Sequence, residues 1–149
     1  MSFLAVAILF SIIFFIQQFN WLNLGGINLN LILIFFQIIA ISGFFSWPAK
    51  LLIGAIISLI ALLLNVFLLK GILIIFGIFC FSLVVKNFLT GNHFADFVII
   101  FTVGEIIFYF LSNLGQWSIL PWTSIVLEWF YSLIFGLLLV FLINGQQKN

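Results

Sequence analysis

The chain has 149 residues, of which 66% are hydrophobic and 5% charged, with a formal net charge of +1. A soluble globular domain carries about 25% charged residues, so this composition excludes a water-solvated surface and points to a lipid-embedded protein. The charges are Lys50, Lys70, Lys86 and Lys148 against Asp96, Glu105 and Glu128, with no Arg; without a basic stripe, nucleic acid is not an expected partner.

Six apolar segments follow one another, over residues 2–19, 29–45, 51–69, 71–86, 94–111 and 119–143. A helix crossing a bilayer needs about 20 residues, with a usual range of roughly 17 to 25. The pattern therefore predicts an all-α fold, a polytopic bundle of six transmembrane helices forming one domain. The opening MSFLAVAILFSIIFFIQQ has no basic stretch before its apolar run and no small-x-small cleavage site after it. It reads as a retained first helix, with a cleaved signal peptide as the weaker alternative.

The second segment contains Gln37, expected to hydrogen-bond to another helix. The third carries Gly54, Ser58, Ala61 and Asn65 at spacings of four, three and four, a small-residue stripe ending in an amide. Such stripes let membrane helices approach closely. The fourth is the shortest, because 15 residues separate Lys70 from Lys86, or about 22 Å of helix. It crosses if both lysines snorkel to opposite interfaces; a re-entrant segment is the alternative. Cys80, within it, is the only cysteine, so neither an intramolecular disulfide nor a Cys-based metal site is encoded.

With six crossings, Lys50, Lys86 and Lys148 fall on one side and Lys70 on the other. The positive-inside rule then places both termini in the cytoplasm. Trp21, Trp47, Trp117 and Trp122 lie near segment ends, as an aromatic belt requires.

The fifth segment carries Glu105 in its middle, with Thr102, Tyr109 and Ser112 at spacings of three, four and seven, on one helix face. The sixth carries Ser124, Glu128, Ser132 and Gly136 at steps of four, just after Pro121. Glu105 lies about 16 Å from one end of its helix and Glu128 about 12 Å from the opposite end of its own. The hydrocarbon core is about 30 Å thick, so both acids reach similar depth. A short loop joins the two helices, which predicts antiparallel neighbours with a shared polar seam. No cation within a span neutralises the pair, so at least one carboxyl is expected to be protonated. A hydrogen-bonded structural seam, a docking point for a polar or basic residue of a partner's helix, and a proton or cation relay all fit these residues.

Asn92, His93 and Asp96 at the entry of the fifth helix offer too few ligands for a metal site. No Ser/His/Asp arrangement and no Gly-rich phosphate loop is present. Neither an enzyme nor a cofactor is expected.

Four strings resemble the rod shape-determining protein MreD family. They are Asn28–Phe36 (NLNLILIFF), Gly54–Asn65 ending in ALLLN, Lys86–Thr90 (KNFLT) and Phe97–Leu111 (FVIIFTVGEIIFYFL). The chain departs from the family pattern after Asn65, where relatives often carry an acidic residue and a Ser/Gly/Pro turn but this sequence reads NVFLLKG. The resemblance implies a six-helix bundle similar to the S-components of energy-coupling-factor transporters. It implies a non-enzymatic scaffold of the cell-elongation complex, concerned with cell shape and the positioning of peptidoglycan synthesis. MreC-like membrane proteins and membrane lipid would be its partners. The expected contact residues are Glu105, Glu128, Asn65, Thr102, Tyr109, Ser124 and Ser132. The other expectation is a small transporter subunit, S-component-like, binding a small molecule or relaying ions.

Overall fold

The computed structural model describes residues 8, 11–13, 15–16, 23–24, 27–28, 30–43, 45–63, 69–114 and 121–145. Among the described residues, the regular structure is helical apart from one two-residue β-ladder. Residues 8, 11–13 and 15–16 are helical and form α1. β1 (Asn23–Leu24) pairs antiparallel with β2 (Ile27–Asn28), Asn23 opposite Asn28, between the first two apolar segments. Five helices follow: α2 (Leu31–Ile41), α3 (Trp47–Leu63), α4 (Leu69–Val85), α5 (His93–Ser112) and α6 (Trp122–Gly145).

α2 is the hub. Each of its 11 residues is buried, and α3, α4, α5 and α6 all pack on it. Helices that are apolar all round belong in an interior. Asn30 caps its start by accepting from the Leu33 N–H at 3.2 Å. Its end is set by Ser42, whose hydroxyl donates to the Ile39 carbonyl at 2.9 Å. Within the span expected over 29–45, α2 occupies Leu31–Ile41, a helix of about 16 Å against a hydrocarbon core of about 30 Å.

Two lysines hold the carbonyl end of α2. Lys50 Nζ donates to the Ala40 and Ser42 carbonyls at 2.9 and 2.5 Å, and Lys86 Nζ to the Ser42 carbonyl at 3.1 Å. Cations there complement the helix dipole. Lys50 stands before the apolar run that begins at Leu51. Burial first, and then the charge and side-chain hydrogen bond of Lys86, push its pKa down to about 8. Lys70 lies at the other end of α4, where it donates to the Ser112 carbonyl at 3.1 Å.

Among the described residues, three helical stretches are long and apolar enough to cross a membrane: Leu69–Phe88, His93–Ser112 and Trp122–Leu142. The first is α4 continued by a 3-10 turn, Lys86–Phe88, so the doubtful fourth segment is one unbroken helix. Large apolar side chains stand exposed on these helices, Leu73, Ile106, Phe110, Leu138 and Phe141 among them, a surface suited to lipid and not to water. Trp47 and Trp122 are exposed at the starts of α3 and α6; Trp21 and Trp117 lie outside the described residues.

The small-residue stripe of α3 does bring helices together. Gly54 and Ala61 are buried, and a Cβ on Gly54 would run into the ring of Phe79 on α4. Phe79 is in turn held edge-on by Phe36 of α2, with ring centroids 4.9 Å apart. Asn65 lies outside the described residues.

The turn before α5 explains Asp96. Gly91 has φ +76°, a left-handed conformation suited to glycine. It lets Asn92 cap the helix, accepting from the Phe94 N–H at 3.0 Å, while Asp96 Oδ1 accepts from the Thr90 N–H and hydroxyl at 3.1 and 2.8 Å.

Candidate functional site

α5 and α6 run antiparallel. Phe97 of α5 fills the space over Gly136, Thr102 meets Trp129, and Tyr109 meets Glu128, so one helix ascends as the other descends. This register brings the two polar faces together. Where interhelical attraction comes from packing and hydrogen bonds, as in lipid, the close approach at Gly136 is what holds them there.

Glu105 lies at the centre of the seam. It is 2% exposed, and among the described residues neither carboxyl oxygen has a hydrogen-bond partner. One turn on, the Tyr109 hydroxyl donates to Glu128 Oε2 in a short hydrogen bond. Trp129 Nε1 donates to the Thr102 hydroxyl at 3.3 Å, which fixes the indole beside the acids. Ser132, one turn beyond Glu128, is fully buried, with no partner for its hydroxyl among the described residues.

Ser124 is exposed and does not join the seam. Steps of four residues overshoot a 3.6-residue turn by about 40° each, so a stripe that starts on the seam at Glu128 has rotated outward one turn earlier. Ser112 is half-buried, its carbonyl taken by Lys70.

Gln37 of α2 packs on α5 at Gly104. It is fully buried, and neither end of its amide has a partner among the described residues. The interhelical hydrogen bond expected of it is therefore corrected to a packing contact. A Cβ on Gly104 would stand 2.9 Å from Gln37 Nε2, so the amide lies against α5 at Gly104. Asn92 and Asp96 are engaged in capping, and no group of three or more His, Cys, Asp or Glu gathers among the described residues. Trp129 escaped the sequence reading; its mid-segment place, away from the interfacial tryptophans, was the available signal.

Two open grooves flank this core. One, of about 300 Å³, lies along α5 and α6 and is lined by Thr102, Glu105, Tyr109, Phe110, Trp122 and Trp129, among others. The other, of about 680 Å³, runs along α4 and α5 from Lys70 past Gly77 to Phe81, with Ile107 and Leu111 opposite.

The class defined so far is an all-helical bundle with three membrane-length helices and an acidic seam between two of them. No family model, no curated protein and no solved structure matches this chain.

Proposed function

We propose that the chain is a multi-pass protein of the bacterial inner membrane, an MreD-like scaffold that holds other membrane proteins of the cell-elongation complex through its helices. In this reading six segments cross and both termini are cytoplasmic. Lys50 and Lys86 meet at one end of the bundle and Lys70 stands at the other, a division that supports this orientation under the positive-inside rule.

The observation that carries the scaffold reading is the α4/α5 groove. It is long, apolar and open, and Gly77 forms part of it with nothing within 4 Å of where its Cβ would be. A small residue in an open apolar groove admits a second helix backbone. A transmembrane helix of an MreC-like protein is the occupant this reading assigns.

Co-purification in mild detergent tests it. The native chain should retain an MreC-like membrane partner, and Gly77→Leu, which fills the groove without touching the core, should lose it. Equal retention by both, or by neither, contradicts the proposal.

A further inference from the structure

We propose that the α5/α6 groove is a binding site for a small hydrophobic organic cation, an amine or quaternary ammonium ion carrying an aryl or alkyl group. The proposal does not depend on the scaffold reading, which uses the opposite side of α5.

The first argument is charge. Glu105 lines the groove, is 2% exposed, and has no hydrogen-bond partner for either carboxyl oxygen among the described residues. Glu128 stands behind it, engaged by Tyr109. Lys50, Lys70 and Lys86 are all bonded to backbone carbonyls at helix ends, so none of the three supplies the seam with a positive charge. A buried acid of this kind needs a counter-charge to ionise, and here the open groove is the route by which one arrives.

The second argument is the wall. Tyr109, Phe110, Trp122 and Trp129 line the same groove. Aromatic faces attract cations, Trp most strongly, and the attraction grows when the cation is desolvated. The indole of Trp129 is already oriented by its bond to Thr102. A metal ion would demand several oxygen ligands, whereas this wall is apolar and its one hydroxyl-bearing threonine already accepts from Trp129. An organic cation, whose charge is spread over carbon-bound hydrogens, matches the wall better.

The third argument is size. About 300 Å³ is too small for a helix and lies at the low end of small-molecule pockets, which run from about 300 to 1,000 Å³. The groove opens on a lipid-suited surface, so its occupant must itself partition into the bilayer.

The test uses the full chain in a maltoside detergent, because phosphocholine amphiphiles carry the very headgroup chemistry in question. Isothermal titration compares benzyltrimethylammonium with its neutral isostere, neopentylbenzene. The cation should bind at least about tenfold more tightly than the isostere, and Glu105→Gln should remove that preference. Trp122→Ala, at a position 54% exposed and outside the core, should weaken cation binding by about two- to thirtyfold. It decides the matter even where Glu105→Gln fails to fold. Equal binding of cation and isostere to the native chain, no measurable binding of the cation, or unchanged cation affinity in the folded variants would each overturn the proposal.

Discussion

Adding a methyl group to Gly136 is the sharpest structural perturbation available. A Cβ there would fall within the ring of Phe97. That ring cannot retreat: it is fully buried and stacked on Phe101, with centroids 5.4 Å apart and planes 14° from parallel. Forcing an extra methyl into a packed core costs about 1–3 kcal/mol, a shift of roughly 5- to 150-fold in the unfolding equilibrium. Gly77→Ala is the matched control, because nothing lies within 4 Å of its added Cβ. Helix propensity alone favours Ala over Gly by about 0.8–1 kcal/mol at both sites. Reversible unfolding of the purified chain in mixed micelles, titrated with sodium dodecyl sulfate, reads both changes. Because the propensity gain is common to both, Gly136→Ala should be less stable than Gly77→Ala by about 1–3 kcal/mol, with Gly77→Ala itself neutral or stabilising. Pairing Gly136→Ala with Phe97→Leu should cost less than the two single changes added together. Equal effects of Ala at the two glycines would refute the α5–α6 packing described here.

Three further outcomes follow from the same geometry. Tyr109→Phe removes the one donor seen on Glu128 and should destabilise by about 1–3 kcal/mol in the same titration; an unchanged midpoint would show that the bond contributes nothing. Asn92→Ala removes the cap of α5 and should cost about 0.5–2 kcal/mol, with amide exchange accelerating in the first turn of that helix and not elsewhere. For Lys50, the folded pKa of about 8 lies below the ordinary 10.5, so the unfolded state binds more protons between those values and stability attributable to this residue rises as pH climbs from about 8 to 10.5. Comparing the native chain with Lys50→Met, the stability difference should move in favour of the native chain across that window; a difference independent of pH would remove the argument.

The helices α4, α5 and α6 were readable from the sequence because each is an apolar run closed at both ends by lysines, a glycine turn or a proline. α2 was not. Its apolar run continues through Phe45, and nothing in hydropathy reports that Ser42 turns back onto Ile39 or that lysines from two distant segments complete the end. The meeting of the α5 and α6 polar faces, Tyr109 on Glu128 and Thr102 on Trp129, was legible because similar depth in antiparallel neighbours is a matter of counting residues. Ser124 stands on the exposed side of α6 because a four-residue repeat drifts around a helix. Gln37 was visible as a polar residue in an apolar run, but its contact with Gly104 depends on how α2 threads between the longer helices, which local spacing does not encode.

The central claim is that the α5–α6 register sets Tyr109 against Glu128 and so places Glu105 in a shared seam. Cysteines at those two positions, in a chain whose Cys80 is replaced by serine, test it in the membrane with a short bis-thiol crosslinker. Tyr109→Cys with Glu128→Cys should link. Phe97→Cys with Glu128→Cys, displaced by twelve residues or about 18 Å along α5, should not. Equal linking of both pairs, or linking of the displaced pair alone, would contradict the register and the seam built on it.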